Sequence, residues 1–441
     1  MSALSVIEPA TARPMAELPQ AGVEETDAAV ARAKAAFPAW RDVTPGDRAA
    51  LIHRLADALA AEHEVTVLCG RPSYDPTARL PWRVWQTEQS GNVRVIRVGS
   101  TAFPRFDMKK RLVNYLSYVA LAVPLALTIR CDVVLAMTDP PFAGIVGAFV
   151  ALLKGKPYAY NIRDMYPDMA VGGSIVQPGL MSRVWERLHR WALRRAQKVI
   201  VLGEDMRRRI VGKGIPESRV EIVRDGAVIP AADTPSPPLD EEVIRAIRGD
   251  LKFVLLHAGN LGFYGAWDTL LAAAPKLAHE GIGIVFVGDG AERTRLEAAA
   301  SGLRNVRFLP FFPLSKVPSV IAAGDVHIIT VREGLEGVVV PSKMYGILTA
   351  GKPILAVTPR ECEPVILGES LGFAMHATAD TPAVLVHAAR RLFQDAEGVR
   401  KMGEAAKAAA PAYDRVKEHE KFVRIIAQLA RRKATEEASQ A

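Results

Sequence analysis

The sequence predicts an α/β protein with two doubly wound, parallel-sheet domains. Two arrays of short apolar strands alternate with helical segments, one over residues 63–230 and the other over 243–410. A polar, proline-rich stretch, AADTPSPPLDEE (231–242), separates them and is the clearest linker in the chain. Because alternation of this kind places helices on both faces of a mostly parallel sheet, each array should form its own layered domain.

The strands of both arrays are short apolar runs, as expected of strands that are covered on both faces. In the first array they occupy residues 65–69, 93–98, 132–137, 158–162, 198–203 and 220–223. In the second array they occupy residues 252–258, 283–288, 305–310, 325–330 and 353–357. After the second array, residues 411–430 should form an amphipathic helix that packs back on the first domain, and 431–441 a frayed tail.

Composition and charge limit the classes of partner. The 441 residues are 49% apolar and 24% charged, which is ordinary for a globular α/β protein. The net charge of +8 favours an anionic partner, and nucleic acid is disfavoured because no nucleic-acid-binding motif appears. The cysteines at 69, 131 and 362 have no metal-ligand spacing, and no apolar signal segment opens the chain. We therefore expect a cytoplasmic protein without a bound metal.

Two segments are candidates for contact with a membrane surface. Residues 112–129 are apolar but contain Asn114, Ser117 and Pro124, so a buried, groove-lining or interfacial helix is favoured over a membrane span. Residues 183–195 form a basic amphipathic helix, which fits an anionic membrane surface or an ordinary solvent-facing helix. The protein is therefore expected to be cytoplasmic, with a peripheral membrane contact as one alternative.

The segment 325–357 carries the richest set of candidate functional residues. A buried strand ends near Val331 and an acidic loop follows it, at the end of the sheet where open α/β proteins bind ligands. A short helix then begins at Pro-Ser-Lys, which offers a hydroxyl, an ammonium and backbone N–H groups to a phosphate. Each charged residue here could instead be an ordinary surface charge. The polar residues of this segment are Arg332, Glu333, Glu336, Ser342 and Lys343.

Glycine turns follow two strands that precede this segment. Glycine lets the backbone approach a phosphate or a sugar closely, although an ordinary strand-to-helix turn has the same composition. The residues of these turns are Gly259, Asn260, Gly262, Gly288 and Asp289.

The order G-N-L-G, F-V-G-D-G, E-G-x-V-V-P-S-K and Y-G-I-L-x-A-G-K-P resembles the nucleotide-sugar domain of group 1 glycosyltransferases with the GT-B fold. The resemblance covers about residues 63–430. It implies transfer of a sugar from a nucleotide-diphosphate donor, with retention of configuration and without a bound metal or cofactor. The acceptor would be lipid-linked or a growing saccharide in envelope polysaccharide or glycolipid synthesis. The donor-binding residues would be those of the two glycine turns together with Arg332, Ser342 and Lys343, the two cations lying at the diphosphate.

The acidic loop departs from the family pattern at one position. Family members carry two glutamates in an E-x7-E arrangement, the first at the transferred sugar and the second at the ribose. Glu336 fits the first role by its Glu-Gly context, and the resemblance makes it a catalytic-site residue. The second position is Gly346 here, so any ribose contact must come from Ser342 or from the backbone.

The first array resembles the acceptor side of the same family. The string DMYPD (164–168) follows one strand and TDPPF (138–142) follows another. The resemblance implies that Asp164, Tyr166 and Asp168 bind acceptor hydroxyls and that Asp139 lines the same cleft. A carboxylate such as that of Asp164 can help to move the acceptor proton, although Asp164 fits a helix cap equally well.

The front of the chain has a different resemblance. Within residues 6–61, AVARAKAAFPAW followed by TPGDRAAL resembles the start of an aldehyde dehydrogenase, and residues 1–62 are predicted to be helical after a short extended start. The second helix has Thr44 as its cap and an apolar stripe at positions 51, 55 and 59. This segment replaces the first strand and glycine-rich loop of a GT-B domain, and that strand is central in the order 3-2-1-4-5-6. Residues 4–7 are the only β-like run that could fill the gap.

Three functions follow from these resemblances. The leading one is an active glycosyltransferase. The alternative is an inactive or donor-binding-only hybrid, because each buried backbone group left unpaired by the missing strand costs about 1–3 kcal/mol against a total stability of about 5–15 kcal/mol. A NAD-dependent aldehyde oxidoreductase is remote, since the nucleophile, the general base and the NAD-binding half of that family lie beyond the retained segment.

Overall fold

The computed structural model describes most of the chain and contains two compact units, Met1–Arg111 and Leu112–Ala441. Strands and helices alternate in the second unit and its two sheets are wholly parallel, so the predicted α/β class is confirmed. The described ranges are 3–7, 14–19, 56–61, 63–70, 83–101, 103, 108–173, 176–228 and 238–440.

The first unit contains two small sheets. One is an antiparallel hairpin of β1 (Ala3–Ile7) and β2 (Pro14–Pro19). The other contains β3 (Val65–Gly70), β4 (Trp85–Ser90) and β5 (Val93–Val98). Here β5 lies in the middle, parallel to β3 and antiparallel to β4. Residues 56–60 are helical, and Ala56 packs against the apolar side chains of β5.

The hypothesis that residues 4–7 take the place of the missing first strand is wrong, because they pair with Pro14–Pro19 in a hairpin of their own. Strand β3 is only half-buried along its whole length, whereas a central strand is covered on both faces. Among the described residues no strand joins the three-stranded sheet to another sheet, as expected if the first strand is missing. The predicted helix start at Thr44 lies outside the described residues.

The second unit begins within helix α1 (Met108–Thr128) and contains a four-stranded parallel sheet. Its strands, in spatial order, are β6 (Val134–Ala136), β7 (Tyr158–Asn161), β8 (Lys198–Val201) and β9 (Val220–Ile222). The connecting helices are α2 (Ala143–Lys154), α3 (Asp168–Gly172), α4 (Leu180–Arg195) and α5 (Glu204–Gly212). Like β3, the edge strand β6 is partly exposed, whereas β7 is buried throughout.

A six-stranded parallel sheet follows, and its order is that of a complete doubly wound domain. Its strands are β10 (Phe253–Ala258), β11 (Ile282–Val287), β12 (Val306–Leu309), β13 (Val326–Thr330), β14 (Ile354–Val357) and β15 (Ala374–Ala377). The spatial order β12-β11-β10-β13-β14-β15 corresponds to 3-2-1-4-5-6. The switch point therefore lies between β10 and β13, where such sheets form their ligand crevice.

Helices cover both faces of this sheet and extend to the end of the described chain. They are α6 (Glu241–Arg248), α7 (Trp267–Leu277), α8 (Arg293–Ala299), α9 (Val317–Ala323), α10 (Lys343–Thr349), α11 (Glu363–Leu371), α12 (Pro382–Gln394), α13 (Ala396–Ala409) and α14 (Arg415–Gln440). Short 3-10 turns lie at Glu217–Arg219, Ala278–Glu280, Leu314–Lys316 and Ala410–Tyr413.

The ends of the second sheet's domain differ in detail from the prediction. The side chain of Asp240 caps α6, so the last two residues of the predicted linker are helical. Helix α14 does pack back on the first sheet of the unit: Glu418 accepts the Arg224 N–H at 2.9 Å, and Lys421 donates to the Ile222 carbonyl. This helix continues to Gln440, through residues 431–440 of the predicted tail.

A buried carboxylate connects the two sheets of the second unit. Glu363, at the start of α11, is fully buried, and its Oε1 lies 2.7 Å from the Arg224 guanidinium beyond β9. Its Oε2 accepts the Glu204 N–H at 2.7 Å, while its own N–H donates to Asp205 at 3.0 Å. Burial, with a smaller contribution from the Glu363 carboxylate, raises the pKa of Asp205 to about 7, although the hydrogen bond from the Glu363 N–H acts in the opposite direction. The two sheets are thus joined through a fully buried carboxylate and a partly buried guanidinium.

We predict that Arg224→Met strongly destabilises the protein, because it leaves the buried Glu363 carboxylate unpaired. Breaking a buried ion pair from one side costs about 3–5 kcal/mol. The free energy of unfolding in urea measures this cost, and adding Glu363→Gln should recover part of it. The control is Arg400→Met, which removes exposed ion pairs with Glu397 and Glu404 and should leave the free energy of unfolding almost unchanged. Equal effects of the two arginine substitutions would contradict the prediction.

Candidate functional site

Three glycines bring two turns into backbone contact at the switch point. Gly259, Gly288 and Gly290 have φ angles of 142°, 146° and 156°, which L side chains rarely adopt. A Cβ on Gly288 would collide with the Gly259 carbonyl, and one on Gly290 would lie 2.5 Å from the Leu261 carbonyl. Glycine is therefore required on steric grounds as well as by conformation. The result is a stretch of backbone without side chains at the carboxyl ends of β10 and β11.

The ammonium of Lys343 lies beside this stretch of backbone. Its Nζ lies 3.0 Å from the Nε2 of His257, and a Cβ on Gly259 would come within 2.8 Å of it. Burial lowers the pKa of Lys343 to about 7. Burial, and then the charge of Lys343, also lowers the pKa of His257, so this imidazole is neutral and its Nε2 accepts from the lysine. Within the described residues Lys343 has no carboxylate partner, so an anion would supply its missing counter-charge.

The other predicted donor residues are arranged around this lysine in different ways. Ser342 is exposed beside it, and Asn260 is exposed at the first glycine turn, where its carbonyl accepts from Tyr264 at 2.9 Å. The Asp289 side chain accepts the N–H of Gly290 at 2.7 Å, which is the turn role that the sequence left open. Gly262 is buried, and its carbonyl accepts from Trp267 Nε1 at 2.6 Å.

Arg332 contacts the acceptor-side segment of the same unit. Its guanidinium donates to the Gly172 carbonyl of α3, and its N–H donates to the Tyr264 carbonyl at 2.8 Å. This geometry fixes the start of the acidic loop against the acceptor-side segment. The contact of Arg332 with a diphosphate stays a prediction.

The acceptor-side loop lies directly against the acidic loop. Asp164 forms an isolated β-bridge with Val339, and the Met165 N–H donates to the Val338 carbonyl at 3.0 Å. The Asp164 N–H donates to Thr138 Oγ1 at 3.3 Å, which connects it to the strand-exit turn that also carries the exposed Asp139. The structure therefore brings Asp164 and the loop of Glu336 together.

Tyr166 belongs to a row of aromatic rings. Its ring stacks on Trp185 at a centroid distance of 5.9 Å, and Trp185 lies 4.8 Å from Phe142. The ring of Tyr115 in α1 packs edge-on against the ring of Phe142, with a centroid distance of 6.5 Å. The row leads from the acceptor-side loop to helices α1 and α4.

Asp168 is engaged in strong ion pairs. Its carboxylate lies 2.7 Å from Lys213 Nζ and 3.0 Å from Arg209 Nε. Burial alone would raise its pKa, but Lys213 and Arg209 together lower it below the usual value. Asp168 is therefore ionised and held, and its contact with an acceptor stays a prediction.

Asp168, Glu186 and His189 have ligand atoms within 4.8 Å of one another, a spacing that could hold a metal ion. The ammonium of Lys213 already lies between the two carboxylates, 2.8 Å from Glu186. Burial lowers the pKa of His189 to about 4, and Lys213 adds to this effect. The lysine therefore balances the charge of this group.

Glu336 occupies a small acidic pocket of about 230 Å³. Its Oε1 lies 3.6 Å from Arg209 Nη1, and the same nitrogen donates to its carbonyl at 2.8 Å. Its Oε2 is buried and has no hydrogen-bond partner among the described residues. Burial raises the pKa of the nearby Glu333, and the neighbouring carboxylates, including Glu336, raise it further. The pocket is lined by Asp205, Arg208, Arg209, Glu336 and Glu361.

Sequence reasoning missed three of these residues. His257 lies within the apolar run KFVLLHA, which favours a core histidine, and only its place next to the strand end signals a different role. His327, within the apolar run DVHIIT, does have a core contact, with the Ile321 carbonyl at 2.9 Å. Arg209 and Lys213 gave no local signal, because their partners lie far along the chain.

The position at which family members carry the second glutamate has free space around it in this protein. Gly346 lies on α10, and a Cβ built there meets nothing within 4 Å. The site would therefore accept a side chain at this position without steric cost.

Comparison with known proteins matches two glycosyltransferase domains to this chain. The glycosyl transferase 4-like domain matches residues 49–226, and the glycosyl transferases group 1 domain matches residues 241–409. The aldehyde dehydrogenase family matches residues 2–69 at the front. The resemblances stated from the sequence motifs are thereby confirmed.

Individual relatives agree with this assignment. The chain is 26% identical over 291 residues to WbjE of Pseudomonas aeruginosa, named as a glycosyltransferase, covering 64% of this chain and 72% of that protein. It is 25% identical over 318 residues to WcaI of Escherichia coli, named as a colanic acid biosynthesis glycosyl transferase. This alignment covers 67% of this chain and 76% of WcaI. The crystal structure of Anabaena HepE in complex with UDP-glucose has a TM-score of 0.56 at 18% identity, covering 76% of this chain and 86% of HepE. This structural likeness shows the GT-B fold.

We predict that Lys343→Met stabilises the unliganded protein at neutral pH. The folded pKa near 7 lies below the unfolded value near 10.4, so the folded state binds fewer protons between these values. The penalty for burying the ammonium is complete below pH 7, falls as pH rises, and is gone above about pH 10. Urea unfolding should show a gain on the order of 2–4 kcal/mol at pH 7 that shrinks by pH 9.5.

The matched control is Lys417→Met, which removes an exposed lysine. It should change the free energy of unfolding by less than about 0.5 kcal/mol at either pH. A Lys343→Met protein less stable than the wild type at pH 7 would show that the ammonium is not buried unpaired.

Proposed function

Because this chain carries both domains of a GT-B glycosyltransferase, we propose that it moves a sugar from a nucleotide-diphosphate donor to a lipid-linked or saccharide acceptor. The six-stranded domain (243–410) binds the donor, and the preceding domain (63–230) faces the acceptor. The observation that carries this proposal is the Lys343 ammonium, which has no carboxylate partner among the described residues and lies beside the glycine turns at the switch point. The relatives' names support envelope polysaccharide or glycolipid synthesis as the context.

The proposed chemistry depends on fixed positive charge at the leaving group. The diphosphate gains negative charge as the glycosidic bond breaks, and a buried cation stabilises that charge more than one in water does. Lys343 supplies this charge and takes up a proton when the diphosphate binds. No metal is needed for this role, and turnover should persist in EDTA.

Glu336 and Asp164 have the remaining roles in this proposal. The Oε2 of Glu336 is buried and has no partner among the described residues, and it accepts a hydrogen bond from a hydroxyl of the transferred sugar. Asp164, whose loop is bridged to Val339, lies beside the acceptor and receives its proton. The reaction retains configuration, which NMR of the product's anomeric proton would test.

A groove near the acceptor side supports a lipid-linked acceptor. It has a volume of about 450 Å³, and the row of rings from Phe142 through Trp185 to Tyr166 leads from its neighbourhood to the acceptor-side loop. We assign this groove to the hydrocarbon of the acceptor. Its lining is wholly apolar and comprises Val119, Val123, Ile145, Val146, Phe149, Leu188 and Trp191.

A peripheral membrane contact at the same helices completes this proposal. Arg183, Arg187 and Arg194 of α4 are exposed, and within the described residues none has a carboxylate partner. Such a surface suits anionic headgroups beside an inserted apolar face. No helix in the described part of the chain is long and apolar enough to cross a membrane. Flotation with anionic but not with neutral vesicles is the expected result.

A donor-binding-only hybrid is the second candidate. The observation that favours it is that no described strand belongs to both the three-stranded sheet and the four-stranded one, and that β3 and β6 are both partly exposed. In this case the protein would bind nucleotide without turnover, because the family's first glycine-rich loop is absent. Sugar transfer to an acceptor extract would exclude it.

We predict that a nucleoside diphosphate raises the midpoint of thermal unfolding and that NAD does not. A ligand at 100 times its dissociation constant adds about 2.7 kcal/mol, which corresponds to a shift of several degrees. UDP, GDP, UDP-sugars and NAD are tested separately. Lys343→Met should abolish the shift and Lys417→Met should keep it. A shift with NAD alone would overturn the proposed function.

We predict that Gly346→Glu tightens nucleotide binding, because it restores the family's ribose-contacting carboxylate in open space. A hydrogen bond to a charged group contributes about 1.5 kcal/mol, or roughly tenfold in affinity. Calorimetric titration with UDP or GDP measures it. Gly346→Ala is the control, because it adds helix propensity without a carboxylate. Equal affinities for the two variants would place the ribose elsewhere.

A further inference from the structure

One guanidinium connects the acceptor-side helix to the acidic loop. Arg209 lies in the last turn of α5, and its Nη1 donates to the Glu336 carbonyl at 2.8 Å. The same nitrogen lies 3.6 Å from Glu336 Oε1, beyond hydrogen-bonding distance but close enough to attract the carboxylate. Arg209 therefore contacts both the backbone and the side chain of one residue in the other half of the unit.

The Nε atom of Arg209 is held by a second contact, with Asp168. Its Nε donates to Asp168 at 3.0 Å, and Lys213 holds the other carboxylate oxygen of Asp168 at 2.7 Å. Because Lys213 is itself buried and also bound to Glu186, Asp168 has little freedom to move. The guanidinium is thus preorganised before it meets Glu336.

The acidic loop is pressed onto the same helix. Gly337, which follows Glu336, has a φ of 65°, and a Cβ there would lie 2.5 Å from the Asp205 carbonyl. Asp205 lies in the first turn of α5, so both ends of this helix contact the loop. The position of Glu336 is therefore set by α5 as well as by its own domain.

Glu336 has one oxygen near Arg209 and one without a partner. The Oε2 atom is buried and unpaired among the described residues, which is unfavourable unless a ligand donates to it. With Oε1 drawn towards Arg209, Oε2 is the atom left to accept a hydrogen bond. A neutral side chain at position 209 would remove this orientation.

We propose that Arg209 is a positioning residue that orients Glu336 for the sugar of the nucleotide donor, so that recognition of this sugar depends on both halves of the second unit. The inference rests on the proposed function, which assigns Glu336 to the transferred sugar. Arg209 does not touch the donor in this arrangement. It changes only the part of the donor's binding affinity that the sugar contributes beyond the nucleotide.

The test compares the dissociation constants of UDP and UDP-glucose by calorimetry. If thermal unfolding selects a guanine nucleotide, GDP and GDP-mannose replace them. Arg209→Met should leave the UDP constant within about twofold and weaken UDP-glucose by roughly tenfold, the effect of losing about 1.4 kcal/mol. Arg209→Lys should restore part of the affinity, because an ammonium can reach the Glu336 carbonyl but lacks the planar fork.

Two further variants separate positioning from general stability. Arg207→Met, on the same helix, removes ion pairs with Glu204 and Glu217 that do not involve the acidic loop, so it should change neither constant. Glu336→Gln should weaken UDP-glucose alone, and Arg209→Met should add nothing in that background.

Each alternative outcome is distinct. If Arg209→Met weakens UDP and UDP-glucose equally, or if its effect adds fully to that of Glu336→Gln, the positioning role is overturned while the donor site stands. If Glu336→Gln has no effect on a wild type that binds UDP-glucose, the assignments of both Glu336 and Arg209 fail together. If no nucleotide binds at all, the proposed function itself fails.

Discussion

The buried carboxylate of Glu363 is the interaction on which the arrangement of the second unit depends. It joins the start of α11 to Arg224 and to the first turn of α5 without exposure to water. Because an uncompensated buried charge is so costly, the sheets cannot separate at this point without losing both pairings. The neighbouring contacts, Arg209 with Glu336 and Asp164 with Val339, require the same alignment of α5 and the acidic loop.

The two sheets of this unit illustrate what a central strand does. In the six-stranded sheet, β10 has partners on both sides and its side chains are almost fully buried. In the four-stranded sheet, β6 is an edge strand that is only partly covered, at the place where a first strand would pair. The glycine turn of the six-stranded sheet depends on such a central strand, because Gly259 directly follows β10. The donor site therefore lies in the domain whose strand order is complete.

Much of this fold could be predicted from the sequence, since continuous apolar runs mark buried parallel strands. The predicted strands of both arrays agree with the observed bounds to within two residues at each end. Strand β4 was not predicted because WQTEQS is polar and mostly exposed, and β15 was not predicted because AMHA is short. Lys343 was found from its motif. Arg209 could not be, because its role arises from a contact with Glu336 across 127 positions of chain.

The front segment, which matches the aldehyde dehydrogenase family, contributes none of the candidate site residues. All of these, from Asp139 to Lys343, lie in the unit Leu112–Ala441. The unpaired ammonium of Lys343 works against folding, and a bound diphosphate would remove that cost. Donor binding should persist in this chain even where the missing strand limits transfer, because the groups that hold the nucleotide do not involve that strand.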